Sequence, residues 1–423
     1  MKATVSEPAS WKRTIEIEIP EQQVQEAFDQ KLNKYRREIK LPGFRQGKVP
    51  ANLVKQRFGA EIRAEVVDEL VQKSYKDACS ENEIVPVSPA SVSDVEDKEG
   101  KPLKLTIETQ VDPPIEIKGY DKLKVKVKTP KIKDSDIDQA VEDLKNRFAE
   151  FEDVDRPAKK GDHIRFEYRK VLIDGEEQEG VKNPEYPVEL GGKSQLKDFD
   201  KALTGHSAGD VVDVTVNFPE DYEEKAAAGK KGEFTIEIKA VQEKKVPEID
   251  EKFLKSLGDF ENEAALRERI KQDMESQAKE QARNKAIDEA IGTLIKENPF
   301  EVPPARIDAF VNYMYEESQR YRRGDEPMPS KEQIAEQYHE TAINSIKRQR
   351  IIDFIADKEK VKATQEEVDQ EIKRLATMYN QDFDTLKQTL RKNGTTNRIR
   401  ADLREKKTLD FLIGESEEEK ESK

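Results

Sequence analysis

The most informative stretch of this 423-residue chain reads Gly43-Phe44-Arg45-Gln46-Gly47-Lys48-Val49-Pro50. Glycine allows backbone angles that other residues avoid, and proline presets a turn, so the stretch predicts a sharp, exposed loop. The tip of this loop would carry one aromatic ring and two cations, Phe44, Arg45 and Lys48. We call Gly43–Pro50 the basic loop.

The basic loop lies within a cationic island of an otherwise acidic chain. Between Lys31 and Arg57 there are nine cations and one acid, Glu38, which gives a local net charge of +8. The whole chain carries −14, so the remaining residues carry −22. This distribution indicates docking on one acidic or polyanionic partner without general affinity for free nucleic acid. The alternative is a run of charged residues that are simply solvated, but such a run would not need the two glycines and the proline that shape the basic loop.

Length and composition indicate several domains and argue against a compact enzyme. A chain of this length is too long for one core and predicts about three domains. Charged residues make up 39% and apolar residues 35%, with a mean hydropathy of −0.91. Thin, elongated parts are expected from such a composition.

Several classes of site and compartment are not supported by the sequence. Cys79 is the single cysteine, and the three histidines are far apart, so we expect no disulfide, no metal site and no cofactor. No stretch approaches the roughly 20 apolar residues that a membrane span needs. We therefore expect a soluble cytoplasmic protein without a membrane partner.

Residues 1–112 predict an α+β domain. Alternation over 13–19 indicates a strand, and helical spacing indicates a helix over 21–39. After the basic loop, a helix from Pro50 should stop at Gly59, and a longer helix should run from about 61 to 80. Strands at 84–87 and 103–111 would complete the domain.

Residues 113–149 predict a connector, and residues 150–246 a β-rich domain. The connector is extended from Ile115 to Val127 and then helical from Asp134, and we expect it to pack with the C-terminal helices. The β-rich segment has short strands, a hairpin turn at Asp174-Gly175 and a short helix near Phe199.

Residues 247–414 predict an all-α domain, which makes the fold class multi-domain α+β with an elongated helical C-terminal part. A helix from Asn262 to Lys296 would span roughly 50 Å. Further helices are expected from about 305 and over 331–358, 365–379, 382–392 and 396–413. The last residues, 415–423, predict a disordered acidic tail.

The basic loop resembles the signature of the trigger factor family, bacterial chaperones at the ribosomal exit tunnel. The matching residues are Gly43, Phe44, Arg45, Gly47, Lys48 and Pro50, and Gln46 stands where a lysine is common. The order and length of the domains are similar over the whole chain. The resemblance implies that Gly43–Lys48 contacts a ribosomal protein and ribosomal RNA of the large subunit.

The β-rich segment resembles FKBP-type prolyl isomerases. Its marks include Asp174-Gly175, Leu190-Gly191-Gly192 and Phe218-Pro219-Glu220. The resemblance implies an apolar cradle for a twisting X-Pro bond, formed by Tyr168, Tyr186, Leu196, Phe199, Tyr222 and Phe234. Gln178 and Gln195 occupy positions where the family has apolar residues. The alternative interpretation is that some of these aromatics belong only to the core of the β domain.

Adaptable apolar side chains on the helical domain could hold unfolded polypeptides. The candidates are Phe310, Tyr313, Met314, Ile343, Ile351 and Phe354. Methionine and aromatic groups suit varied apolar shapes, although packing between helices would use the same residues.

Taken together, the residues and the resemblance predict an ATP-independent chaperone that binds nascent chains at the ribosome. It would keep them open for folding or export and carry a prolyl isomerase domain. The first alternative is a free cytosolic FKBP-type isomerase that recruits clients without docking on the ribosome. The second, an RNA-binding regulator, is disfavoured by the acidic remainder of the chain.

Overall fold

The computed structural model of the chain describes residues 2–42, 44–98, 100–123, 125, 127–178, 186–192, 197–220, 228–258, 260–321 and 329–414. Within them the predicted fold types occur in the predicted order: α+β, then β-rich, then helical. The chain divides into two compact units, Met1–Lys128 with Arg283–Lys423, and Thr129–Ala282. The tail 415–423, predicted to be disordered, lies outside the described residues.

The N-terminal sheet is antiparallel, in the order β1-β2-β4-β3. Its strands are β1 (Lys2–Ala9), β2 (Lys12–Ile19), β3 (Ser91–Glu96) and β4 (Leu103–Gln110). Alternation in β2 buries Ile15, Ile17 and Ile19 against the helical layer. The prediction of a strand over 84–87 is wrong, since only one bridge joins Pro86 to Val111. Proline lacks the N–H that a longer ladder needs there.

Two helices cover this sheet and flank the basic loop: α1 (Glu21–Glu38) and α2 (Ala51–Glu81). The predicted stop at Gly59 is wrong, because α2 continues through this residue and is 31 residues long in all. Glycine inside a helix costs about 1 kcal/mol relative to alanine. Val54, Ile62 and Val66 are at most 1% exposed and lie on one stripe, so a continuous helix is needed to bury all three.

The β-rich unit is built around one long strand. Its elements are α3 (Asp134–Arg147), β5 (Glu150–Asp153), β6 (His163–Ile173), β7 (Glu176–Glu177), β8 (Tyr186–Glu189), α4 (Lys197–Leu203), β9 (Val211–Asn217), β10 (Lys231–Lys245) and α5 (Glu251–Gly258). Strand β10 pairs with β5, β6 and β9, and β6 pairs with β7 and β8. The predicted hairpin turn is present at Asp174 and Gly175, both of which have positive φ.

A bulge in β6 sets which residues face the core of this unit. Ile236 pairs with Tyr168, while Thr235 pairs with Lys170, so Arg169 is the additional residue. The bulge shifts the alternation, which buries Val171 and leaves Lys170 exposed.

The helical region contains α6 (Glu263–Glu297), α7 (Pro304–Arg320), α8 (Lys331–Lys358), α9 (Gln365–Met378), α10 (Phe383–Lys392) and α11 (Thr395–Ile413). Helix α6 has 35 residues, and the boundary between the two compact units falls inside it. Ser330 and Thr364 are the N-terminal caps of α8 and α9, and each forms a capping box. The cap hydroxyl accepts a hydrogen bond from the backbone N–H three residues later, and the side chain of that later residue accepts one from the N–H of the cap.

The first unit joins the end of the N-terminal sheet to the C-terminal helices. Ile117 is buried with Leu294 and Ile351, and the Asn298 side chain bonds both backbone groups of Lys118 at 2.9 and 3.1 Å. Arg306 donates to Asp112 at 2.7 Å. The extended segment from 115 therefore contributes to the core of the helical region.

Candidate functional sites

The basic loop is exposed at its tip and anchored at its base. Phe44 is 43% exposed, whereas Leu41 and Val49 are buried at the two ends of the loop. The Lys48 N–H donates to the Arg45 carbonyl at 2.9 Å, which closes the turn. Gly47 has φ of +79°, and a Cβ there would have no atom within 4 Å, so the backbone alone requires glycine. Gly43 lies outside the described residues.

The cations at the tip point to solvent, but the island is less positive than its sequence suggests. Arg45 and Lys48 are exposed and, within the described residues, form no ion pair, while Gln46 donates to the Glu38 carbonyl at 3.3 Å. Lys31 is paired with Glu65 at 2.8 Å and Glu69 at 2.6 Å, two acids that α2 supplies.

The same ion cluster fixes α1 against α2 behind the loop. The Tyr35 hydroxyl donates to Glu65, and this hydrogen bond raises the pKa of Tyr35 to about 12. Hydrogen bonds from Lys31 and Tyr35 hold the pKa of Glu65 below its ordinary value. Arg36 donates through Nε to the Val49 carbonyl at 3.1 Å, so the base of the loop is held by the helix before it.

Three of the predicted cradle residues meet in the β-rich unit. The Phe234 ring lies 5.7 Å from Tyr168 and 5.3 Å from Phe199, distances typical of favourable aromatic pairs. Phe199 and Phe234 are 6% and 9% exposed and belong to the core, whereas Tyr168 is half-buried. Tyr168 therefore offers more accessible surface than either phenylalanine.

The other predicted cradle positions are described less completely. Tyr186 contributes its backbone to β8, where it pairs with Phe166, and its side chain is not described. Leu196 and Tyr222 lie outside the described residues, as does Gln195. Gln178 is exposed after the hairpin, and its backbone N–H donates to the Val171 carbonyl at 3.0 Å.

The cradle predicted from the sequence left out three residues that pack against its rings. The Phe166 ring packs 5.2 Å from Tyr168, and the Phe218 ring packs 6.3 Å from Phe234. Gly232 is buried directly beneath the rings of Phe218 and Phe234. The alternation of β10 places Gly232 and Phe234 on one face, a signal that could have found this glycine. We call Phe166, Tyr168, Phe199, Phe218 and Phe234 the aromatic cluster.

The predicted apolar set of the helical region divides into exposed and buried members. Tyr313 of α7 is 59% exposed, and Phe310, Met314 and Ile343 are half-buried. Ile351 is fully buried in the core, so in this structure it cannot present surface to a client. Phe354 packs against that core, with its ring 6.4 Å from Tyr120.

The described residues contain neither a cluster of metal-ligating side chains nor a membrane-spanning helix. Within them no group of three histidine, cysteine or acidic side chains is placed to hold a metal ion. Among the helices that the structure describes, none has the length and apolar character needed to cross a membrane.

Comparison with known proteins accounts for nearly the whole chain. Residues 1–144 match the family model described as bacterial trigger factor protein, and residues 264–414 match that of its C-terminus. Trigger factor of Koribacter versatilis (strain Ellin345) is 30% identical over 412 residues, covering 96% of this chain and 94% of that protein. This chain belongs to the trigger factor family. Trigger factor of Geotalea daltonii (strain DSM 22248 / JCM 15807 / FRC-32) is also 30% identical, covering 98% and 97% of the two chains.

The β-rich unit has its own family match within this trigger factor. Residues 154–241 match the FKBP-type peptidyl-prolyl cis-trans isomerase family, so the chain is a trigger factor chaperone with an isomerase-class domain. A solved structure described as showing promiscuous substrate recognition in folding and assembly by the trigger factor chaperone has a similar fold. Its TM-score is 0.54 at 21% identity, with 98% of this chain and 99% of that chain covered.

Proposed function

We propose that this trigger factor docks on the large ribosomal subunit near the exit tunnel through its basic loop and shields nascent polypeptides there. The observation that carries the proposal is the exposed tip. Phe44 is 43% exposed between two buried anchors, with Arg45 and Lys48 open to solvent. An exposed aromatic ring beside cations suits a composite surface of protein and ribosomal RNA.

The loop is prepared for docking before any partner binds. The left-handed Gly47, the Lys48–Arg45 hydrogen bond and the Arg36–Val49 hydrogen bond already hold its shape. Ordering a loop on binding would cost free energy, so a preformed loop retains more of its contact energy as affinity.

Nascent-chain binding would use the accessible apolar side chains of α7 and α8. Tyr313 is the most exposed of the predicted set, and Phe310, Met314 and Ile343 are half-buried, whereas Ile351 lies in the core of the helical region and Phe354 packs against that core. Each of these contacts would be weak, but ribosome docking would hold the nascent chain at a high effective concentration, so that several contacts together bind it firmly. Such binding needs no nucleotide.

The β-rich domain would isomerise X-Pro bonds in the same clients. Twisting the bond loses amide resonance, which sets a barrier of about 18–20 kcal/mol. An apolar cradle formed by Tyr168, Tyr186, Leu196, Phe199, Tyr222 and Phe234 would favour the less polar twisted amide and exclude water from it. We propose Tyr168 as the main accessible ring of this cradle.

Pelleting with ribosomes and suppression of client aggregation, measured on the same variants, test this proposal. Replacing Phe44, Arg45 and Gln46 with alanine should abolish pelleting at moderate salt while leaving aggregation suppression unchanged. Tyr313→Ser with Met314→Ser should give the reverse result. A control variant, Tyr379→Ala with Lys373→Ala and Gln381→Ala, likewise removes an aromatic ring, a cation and a carboxamide from another exposed surface and should pellet normally.

Two results would contradict the proposal. If the loop variant pellets like the parent protein, the loop is not the anchor, and the free isomerase without ribosome docking becomes the better interpretation. If the Tyr313 and Met314 variant suppresses aggregation fully, clients bind elsewhere.

A further inference from the structure

We propose that Gly232 is a positioning residue for the isomerase domain: its missing side chain lets the rings of Phe218 and Phe234 converge at the predicted cradle. This inference rests on the proposed isomerase function. Gly232 is a buried glycine of β10 that has no side chain of its own and lies against Phe234, one of the predicted cradle residues.

The space around Gly232 is too small for any side chain. A Cβ at Gly232 would lie 2.6 Å from Cε2 and 3.0 Å from Cζ of Phe234, and 2.8 Å from Cε2 of Phe218. Distances below about 3 Å are shorter than carbon atoms tolerate, since optimal contact lies near 3.5–4.0 Å. Any side chain at this position therefore displaces both rings.

The requirement for glycine at this position is steric and not conformational. Gly232 is absent from the residues with positive φ and lies in regular pairing with Ile173 and Val216. An alanine could adopt this backbone without strain, because it is ordinary strand geometry. The three atoms nearest to such a Cβ all belong to the two rings, so a substitution acts directly on ring position.

Each displaced ring bears on the site in a different way. The Phe234 ring also lies 5.7 Å from the Tyr168 ring and 5.3 Å from the Phe199 ring, so any displacement of Phe234 disturbs its packing against these two cradle residues. Phe218 directly follows β9, and its N–H donates to the Lys230 carbonyl at 3.0 Å, so a displaced Phe218 disturbs the end of the pairing between β9 and β10. Gly232 thus sets the position of one cradle ring, Phe234, and of the Phe218 ring beside it.

The test is Gly232→Ala in the full chain, assayed for isomerisation of a short X-Pro peptide. We expect kcat/KM to fall by about tenfold to a hundredfold, because misplacement of a site by about 1 Å has effects of that size. The affinity for a non-isomerising proline-containing peptide should fall in parallel. Gly59→Ala is the matched control, since its Cβ would meet only Lys55 Cγ at an ordinary 3.6 Å, and its kcat/KM should be unchanged.

A second background shows whether the rings carry the effect. In a Phe218→Leu, Phe234→Leu protein the ring atoms that Cβ would strike are gone, so adding Gly232→Ala should change kcat/KM and peptide affinity less than twofold. Such a loss of effect is the mark of direct coupling between residues in contact. The comparison holds even if Gly232→Ala alone unfolds the domain, which circular dichroism would reveal.

The inference is overturned if folded Gly232→Ala matches the parent protein in both rate and peptide affinity. It is also overturned if the substitution costs as much in the leucine background as in the parent. A parent protein without turnover would contradict the proposed isomerase activity instead. In that case the affinities of the same variants for the proline-containing peptide would still decide whether Gly232 positions the rings of the predicted cradle.

Discussion

The basic loop and the aromatic cluster both combine phenylalanine with glycine, and the two glycines serve opposite purposes. Gly47 has a left-handed backbone with empty space around it, and Phe44 beside it faces solvent. Gly232 has an ordinary strand backbone with no space, because the rings of Phe218 and Phe234 fill it. The loop depends on what it presents to a partner, whereas the cluster depends on how its parts are packed.

The largest expected contrast is in stability. Phe234→Ala removes a core ring that contacts three aromatic neighbours, so it should lower the free energy of unfolding of the β-rich domain by about 3–5 kcal/mol. Phe44→Ala should change stability by no more than about 0.5 kcal/mol, because an exposed loop residue has little packing to lose.

For Phe234→Ala, the change in unfolding free energy is measured by urea unfolding with hydrogen exchange in β10 as the signal. For Phe44→Ala, it is measured by urea unfolding with Trp11 fluorescence as the signal, since Trp11 reports on the N-terminal domain. Equal losses for the two variants would remove the distinction between presentation and packing.

A smaller effect is expected at a buried carboxylate of the β-rich unit. Asp162 is 1% exposed and accepts from Arg156 at 2.6 and 3.1 Å and from the Lys159 N–H at 2.9 Å. Burial raises the pKa of Asp162, but these hydrogen bonds outweigh it and hold the pKa below its ordinary value. Asp162→Asn should cost roughly 1–3 kcal/mol at neutral pH, since it disrupts a hydrogen-bonded buried pair.

The pH dependence follows from the sign of that shift. A lowered pKa means that the folded state favours the charged carboxylate, so the stabilisation is present above the unfolded pKa of about 3.9. This stabilisation is lost as the pH falls through the pKa that Asp162 has in the folded state. Urea midpoints from pH 7 to pH 3 should therefore decline less steeply for Asp162→Asn. For the control Asp155→Asn, at an exposed acid of the same unit, the urea midpoint should decline with pH as it does in the parent protein. Identical curves for the parent protein and both variants would exclude a role of Asp162 in the pH dependence of stability.

The smallest effect is expected at Gly59, and it has the opposite sign. This glycine lies inside α2 with room for a methyl group, so alanine should stabilise the N-terminal domain by about 0.4–1 kcal/mol by restricting the unfolded chain. Thermal unfolding followed by Trp11 fluorescence measures it. A loss of stability would mean that the helix needs glycine there for packing, as β10 does at Gly232.

Much of the local structure could be predicted because it depends on neighbours in sequence. Capping residues such as Ser330 and Thr364 begin helices with their own side chains, and the Asp174-Gly175 pair turns the chain by its own backbone preferences. The same holds for the basic loop, whose glycine, aromatic and cations indicate an exposed turn by their residue types and order alone. The predicted stop at Gly59 failed because helix packing outweighed the local cost of glycine.

The sequence by itself determined the order of the fold types, the exposed basic loop and the kinds of residue available for each site. Only the tertiary structure decided which of these residues are accessible. It buried Ile351, Phe199 and Phe234, exposed Tyr313, and paired Lys31 with acids from α2. Burial and ion pairing depend on residues distant in sequence, and the convergence of two rings on Gly232 needs β9 and β10 to pair in register. Local patterns cannot specify such contacts, because the partners are chosen by packing.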